Sequence, residues 1–330
     1  MAAQLRAALV GCGAIAQVHA GILKSLPGAY LCACADIRVD RAQALAAAHG
    51  MTAYDSLDAL LASESIDVLH ILTPHALHLP MAEAAAARGI AIFTEKPPAI
   101  TRQQWRQWQA LAGRVPVGIC FQNRYNAATQ AARALLTSGE AGRVLGARGI
   151  VTWRRDAAYY SQSGWRGTRA LEGGGALMNQ GIHTLDLLVH LLGAPEGVQV
   201  SMHNRHLPGV IEVEDTLEAR WCWGDAPGLF YATTAYGVDA PVLLDIACEK
   251  ATLRIEGGAR YTVTWADGRE TREDFAMDGV LGKNYWGNGH EPCIRDFYRC
   301  LRAGEAFPIG VADVANTMEL VLTLYEQGIK

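Results

Sequence analysis

Asn179, His183, Asp186 and His190 recur at intervals of four, three and four residues inside Gly173 to Gly193, GGGALMNQGIHTLDLLVHLLG. On a helix turning about 100° per residue, these four side chains fall within roughly 60° of one another. Met178, Ile182, Leu185, Leu188, Val189 and Leu192 cover the other sides. A solvated stripe normally carries Lys, Glu or Arg, and this one has none, so it is expected to line an internal pocket or a buried polar network. A histidine beside an amide and a carboxylate in such a pocket can hold a polar substrate and move a proton. The three glycines at the head of the run either cradle a phosphate or give a backbone room to pass close to another element.

A second reactive candidate is Lys96, in Thr94-Glu95-Lys96-Pro97-Pro98. The two prolines prevent it from continuing as an ordinary helical surface lysine and fix the direction in which the chain leaves. A lysine held at a ligand rim donates to a substrate hydroxyl or carbonyl and passes a proton. A solvated lysine paired with Glu95 fits the same residues.

The elements that position these groups follow from length and pattern. A chain of 330 residues is expected to form two domains, each large enough to be stable without staples. Half of its residues are apolar and the net charge is −4 with no basic run, so nucleic acid and anionic membrane are not expected as partners and a small molecule is. The eight cysteines include no C-x-x-C pair, which argues against structural zinc or a disulfide framework and for reduced thiols in a cytoplasmic protein. No apolar segment reaches the length of a membrane helix.

Leu5 to Val10 reads as a strand, Gly11-Cys12-Gly13-Ala14-Ile15-Ala16 as a turn and Gln17 to Ser25 as a helix. Gly11 permits the tight turn, Gly13 lets backbone amides approach a pyrophosphate, and Ala16 is small enough for close helix-to-strand packing. Tyr30 to Ala35 reads as the next strand and ends at Asp36, twenty residues after Ala16, where a carboxylate accepts the adenosine ribose hydroxyls. The alternation of helix and strand continues to Phe121, which implies a mostly parallel sheet wound on both faces. Ligands of such sheets sit at the carboxyl ends of the strands. Thr73-Pro74-His75, Glu95-Lys96 and Asn123 all fall there, and His78 is expected near the cofactor. His75 and His78 lack a third ligand at a recognisable spacing, so no metal is expected.

From Gly146 onward the pattern changes to short period-2 runs separated by turns such as Glu256-Gly257-Gly258, which suggests a mainly antiparallel sheet. One open face of that sheet would need covering, and pairing of subunits through it to a homodimer or homotetramer is expected. The expected boundaries are 1–122 for a doubly wound α/β domain and 123–290 for an α+β domain, with helices in about 291–330 packing back on the first. Before the glycine run, Tyr159-Tyr160 and Trp165-Arg166 offer aromatic and planar cationic groups to a cleft, or anchor a domain interface. In Tyr285-Trp286-Gly287-Asn288-Gly289-His290, the histidine either caps the next helix or faces the pocket.

Taken together, Gly11-x-Gly13-x-x-Ala16, Glu95-Lys96-Pro97, Trp165-Arg166-Gly167-Thr168 and the glycine run continuing through Asn179 and His183 to Asp186 resemble the Gfo/Idh/MocA oxidoreductases. The resemblance runs through the whole chain in order. It implies a Rossmann domain and an open-faced sheet domain, with a nicotinamide cofactor and a sugar, cyclitol or sugar derivative as substrate. It gives Lys96 contact with the reacting hydroxyl and makes His183 the acid/base group. Many cyclitol dehydrogenases of the family have aspartate where this chain has Asn179, which orients substrate but is no carboxylate base. Tyr160 and His290 are expected against the substrate, Trp165 and Arg166 against both cofactor and substrate, and Asp186 as the group that orients His183. The glycine run is then expected to bring backbone close beneath nicotinamide and substrate, and His190 to be a buried structural residue. Asp36 favours NAD by repelling a 2′-phosphate, while Arg38 and Arg41 leave NADP open. Two other functions compete: a glycoside-cleaving enzyme of the same family that oxidises C3 transiently, and a cofactor-sensing regulator without catalysis.

Overall fold

The computed structural model describes residues 4–276 and 287–328; Tyr285 and Trp286 lie outside them. The chain divides into two units, Met1–Phe121 with His290–Val314 and Gln122–Gly289 with Ala315–Lys330.

In the first unit, β1 (Leu5–Val10), α1 (Ala14–Ser25), β2 (Ala29–Ala35), α2 (Val39–His49), β3 (Thr52–Tyr54), α3 (Leu57–Ser63), β4 (Val68–Ile71), α4 (His78–Ala86), β5 (Ala91–Glu95), α5 (Arg102–Leu111) and β6 (Val117–Cys120) alternate as the sequence pattern requires. The strands form one sheet in the order β3-β2-β1-β4-β5-β6, with parallel registers throughout. Strand order reverses between β1 and β4. The crevice beyond their carboxyl ends is where ligands of such sheets bind. Gly11 follows β1 there with φ +91°, and a Cβ on it would lie 2.6 Å from the Leu72 carbonyl oxygen just after β4. Only glycine permits both the conformation and the approach.

The Trp105 and Trp108 side chains of α5 are fully buried, and the Trp108 indole donates to the Pro98 carbonyl at 2.7 Å, which ties the chain just beyond Lys96 to that helix. Gly118 in β6 leaves the space that the rings of Phe93 and Phe297 fill, 2.8 Å from where its Cβ would stand. That close packing brings a later segment, the helix His290–Ala303, onto this sheet.

The second unit begins with α6 (Ala127–Ser138), β7 (Val144–Thr152) and α7 (Ala157–Ser161), followed by a π-helical stretch, Ala176–Gly181, that runs into α8 (Ile182–Leu192). Seven further strands follow: β8 (Glu196–His203), β9 (Thr216–Trp223), β10 (Ala226–Thr233), β11 (Leu243–Cys248), β12 (Ala251–Glu256), β13 (Arg260–Trp265) and β14 (Glu270–Asp274). The sheet order is β14-β13-β12-β11-β7-β10-β9-β8. Every pair is antiparallel except β7 with β10, which run parallel. Gly149 in β7 lets α8 settle on the sheet, since a Cβ there would stand 3.0 Å from Thr184 and 3.1 Å from Leu188.

Two returning helices close the chain, α9 (His290–Ala303) and α10 (Ala315–Gly328). The sequence reading sends both back to the first domain. Only α9 goes there; α10 packs on α8 and β8 in the second unit. The apolar face of α10, with Met318, Val321, Leu322 and Leu324 buried, marks a packed helix, but periodicity does not say against which sheet.

The glycine run is explained within this unit. A Cβ on Gly174 would stand 2.0 Å from the Tyr325 hydroxyl, and one on Gly175 would stand 1.9 Å from the Glu214 carbonyl oxygen. The backbone passes close to α10 and to the chain before β9, which corrects the expectation that these two glycines make room beneath a cofactor. Gly175→Ala is therefore expected to lower unfolding stability by about 3 kcal/mol through forced displacement. Gly21→Ala, at an exposed site inside α1 with no atom within 4 Å of the new Cβ, is expected to raise it by about 0.5–1 kcal/mol. Denaturant titrations of both variants check the opposite signs.

Candidate active site

In the turn Gly11 to Ile15 the Gly11 N–H goes to the Ala35 carbonyl at 2.9 Å, and the amides of Gly13 to Ile15 open α1. Its N-cap, Gly13, makes no side-chain cap, and the first turn carries no acidic residue. A Cβ on Gly13 would meet no atom within 4 Å, so the turn is open on that side. Ala14 is exposed and Ile15 half-buried, while Cys12 is buried beneath them. Such a helix start is an anion site, and this one fits the pyrophosphate of a dinucleotide. Asp36, just after β2, accepts the Cys12 N–H at 2.7 Å and the Arg38 N–H at 2.8 Å. The carboxylate thus both braces the glycine turn and starts the loop into α2. The Arg38 guanidinium turns to Asp40 at 2.9 Å.

Thr73 and Pro74 end β4 half-buried, and His75 is buried with its ring 5.9 Å from that of His78. His78 departs from expectation. It is fully buried, with Nδ1 2.8 Å from the Pro97 carbonyl oxygen and Nε2 2.8 Å from that of Thr73. Burial holds its pKa below the ordinary value, so the neutral ring donates to one carbonyl at a time. It braces two strand-end loops and does not face a cofactor.

Lys96 is half-buried, and its backbone N–H donates to Glu95 at 3.3 Å. Glu95 is turned inward, which corrects its expected place against the cofactor. Its Oε1 lies 3.2 Å from His19 Nε2 and 3.7 Å from His290 Nε2. Burial works against the carboxylate's charge, but His19 and His290 outweigh it and hold the pKa well below the ordinary value. His290, expected against the substrate, is instead buried at the start of α9.

In the second unit the polar stripe is visible as a pattern of exposure. From Gly174 to Val189 every residue is buried except Asn179 and His183. Asp186, expected to orient His183, does something else. Its carboxylate takes a two-pronged pair from Arg124, at 2.9 Å and 2.6 Å, and the Thr317 hydroxyl at 2.8 Å. Asp186 thus ties the segment after β6, α8 and α10 together. His190 is half-buried rather than buried, and partial burial draws its pKa down to about 4.

Glu172, directly before the glycines, is a site residue that the sequence reading missed. It is 1% exposed and accepts the Asn179 amide and the Gly167 N–H. Its carboxylate therefore fixes which way the Asn179 amide points. Burial pushes its pKa up to about 7 against those two donors. An acidic residue abutting three glycines in an otherwise apolar stretch was the available signal.

Arg166 lies over the Tyr159 ring at 4.5 Å and the Trp165 ring at 5.3 Å, a cation-π stack that orders both aromatic residues. Tyr160 is not on a substrate surface: it is buried with Ile211 and Val213, its hydroxyl 3.3 Å from that of Thr234. Asn123 lines a small cavity together with Asn126, Trp153, Thr184 and Leu187.

A folded-state pKa above the free value means that folded Glu172 binds the proton more tightly than the unfolded chain does. Stability is then full below about pH 4.5 and declines as pH rises to about 7, by on the order of 3 kcal/mol. Glu172→Gln is expected to flatten that decline, while costing stability at low pH because one of the two N–H donors loses its acceptor. Unfolding titrations between pH 4 and 8 check this.

Two family models match the chain, an oxidoreductase family with an NAD-binding Rossmann fold over residues 5–120 and the GFO/IDH/MocA C-terminal domain over residues 129–266. D-glucoside 3-dehydrogenase of Escherichia coli K12 is 32% identical over 61% of this chain and 57% of its own length. The NAD(+)-dependent scyllo-inositol 2-dehydrogenase of Bacillus subtilis is 30% identical over 62% and 58%. The matches thus span little more than half the length of these curated relatives. Among solved structures, the WlbA dehydrogenase of Bordetella pertussis, crystallised with NADH and UDP-GlcNAcA, superposes with a TM-score of 0.84 at 29% identity over 98% of this chain and 96% of that one. The two units, each matched by its own model in the same order, place this chain in the Gfo/Idh/MocA oxidoreductase family.

Proposed function

We propose that this protein is an NAD-dependent dehydrogenase that transfers hydride between the nicotinamide and a ring carbinol carbon of a sugar, cyclitol or sugar derivative. The observation that supports this most directly is that Asn179 and His183 are the only half-buried residues in a run otherwise buried from Gly174 to Val189. The relatives named for oxidising glucosides and inositols point the same way. NAD, when bound, accepts the hydride. Gly11 to Ile15 would hold its pyrophosphate and Asp36 its adenosine ribose.

This chain's own residues manage the proton and the pose. His183 takes up the hydroxyl proton as the carbinol is oxidised and returns it in the reverse direction. Lys96 donates to a substrate hydroxyl, and its backbone is held by Glu95 on its own N–H and by His78 on the Pro97 carbonyl. Asn179 contributes no base. Its amide, oriented by Glu172, hydrogen-bonds substrate hydroxyls. Trp165 and Arg166 form an ordered flank to the same unit's site. Pairing of chains through the sheet of the second unit, to a dimer or tetramer, belongs to this reading.

A panel of free sugars, cyclitols, sugar acids, nucleotide sugars and glycosides monitored for NADH tests the proposal; absence of turnover across it would favour a sensing role. Release of sugar from a glycoside without accumulated NADH would favour the redox-neutral glycosidase. Lys96→Ala and His183→Ala are each expected to retain cofactor binding and lose about 10²- to 10⁴-fold in turnover. Near-normal activity in either would remove that residue from the mechanism. Fluorescence titration is expected to show tighter binding of NAD than NADP, with the preference reduced in Asp36→Ala.

A further inference from the structure

Four side chains from distant parts of the sequence converge in the first unit: His19 on α1, Glu95 at the end of β5, Cys120 at the end of β6 and His290 at the start of α9. All four are buried, and each offers one ligand atom within 4.8 Å of the other three. The closest pairs are His19 to Glu95 at 3.2 Å and His290 to Glu95 at 3.7 Å. A tetrahedral zinc ion with bonds of about 2.0–2.3 Å holds its ligand atoms roughly 3.3–3.8 Å apart. The observed cluster needs only small rotamer movements to reach that spacing.

We propose that His19, Glu95, Cys120 and His290 form a closed, four-coordinate site for a structural zinc ion. Two imidazoles, a thiolate and a carboxylate suit zinc or a neighbouring late transition metal, and not calcium or magnesium, which take oxygen ligands. The charges also close: one thiolate and one carboxylate neutralise a divalent ion, so no net charge is buried. With four protein ligands and no exposed face, the site leaves no position for a reacting water. It clips α9 to α1, β5 and β6 and is not catalytic.

An outer shell is already in place. Nδ1 of His19, the nitrogen turned away from the cluster, is 2.9 Å from His70 Nδ1, and His70 Nε2 is 3.0 Å from the Tyr298 hydroxyl. With His19 bound to the metal through Nε2, its Nδ1–H donates to His70, whose Nε2–H donates to Tyr298. That is the support a metal-bound histidine normally has. Binding releases the Cys120 thiol proton and any proton held by His290, so uptake weakens as pH falls. No local motif announces the site, because its ligands come from positions 19, 95, 120 and 290 and no two of them share a local spacing.

The test is elemental analysis of the whole protein purified without chelator, followed by cobalt(II) titration of chelator-treated protein. The expected result is about one zinc per chain, together with a thiolate-to-cobalt charge-transfer band and tetrahedral visible bands on titration. Cys120→Ser is expected to lose the charge-transfer band and His290→Gln to lower the metal content. Cys248→Ser, a buried cysteine outside the cluster, should change neither. If Cys120→Ser fails to fold, the wild-type cobalt spectrum still decides. A folded wild-type protein that holds no zinc, takes up no cobalt and gains no melting temperature from added zinc would overturn the site. So would cobalt bound without the thiolate band.

Discussion

The first N–H groups of the helix that bears His183 need acceptors, and the chain supplies them from outside the helix. Glu214, wholly inside the second unit, accepts the Gly175 N–H at 2.9 Å and the Leu177 N–H at 3.0 Å. The Tyr325 hydroxyl receives the Met178 N–H at 3.0 Å and donates to Glu214 at 2.8 Å. A helix start is ordinarily capped by a neighbouring Ser, Thr, Asp or Asn. Here the carboxylate arrives from the segment before β9 and the hydroxyl from α10. Such a cap works only if the backbone can approach both, which is why residues 174 and 175 have no side chains. Burial pushes the Glu214 pKa up, against three donors that favour its charge. The π-helical stretch, α8 and the outward stripe of Asn179 and His183 all take their orientation from this contact.

The first unit solves an analogous problem at Lys96. A flexible lysine is useful in proton transfer only if its backbone is fixed, and two buried side chains supply that fixity. Glu95 accepts the lysine's own N–H, and His78 joins the Pro97 and Thr73 carbonyls. Both were expected near a cofactor because they stand at strand ends, where ligands of a parallel sheet gather. Their side chains turn into the protein instead. Proximity in sequence to a binding rim distinguishes neither a residue that faces the ligand from one that holds the rim in shape.

The Rossmann unit was legible because its signals are local: apolar runs of strand length, glycine at the turn after β1, and a carboxylate at the end of β2. The second sheet was legible in type, though not in full. β14 is exposed throughout and carries no apolar alternation to read. α6 buries mainly Ala128, Thr129 and Ala132, side chains too small to mark a face. The stripe is legible from its spacing, and Asn179, His183 and His190 are its half-buried members. Asp186 shares their angle but is drawn into a pair with Arg124, a residue 62 positions earlier. Tyr160, His78 and His290 failed in the same way. Each has a partner beyond the reach of helix or strand spacing, Thr234 for Tyr160, the Pro97 carbonyl for His78 and Glu95 for His290, so no spacing rule could assign it.

Hydride transfer from a ring carbinol carbon to the nicotinamide, as proposed, carries the substrate's own hydrogen to the cofactor. The most direct measurement is the mass of the nicotinamide product after incubating the wild-type protein and NAD with a turned-over sugar or cyclitol that is deuterated at its ring carbons. The expected result is reduced cofactor carrying one deuterium from the substrate, with the oxidised ring product formed in equal amount. Reduced cofactor without the label, or oxidised product with no label reaching the nicotinamide, would contradict it.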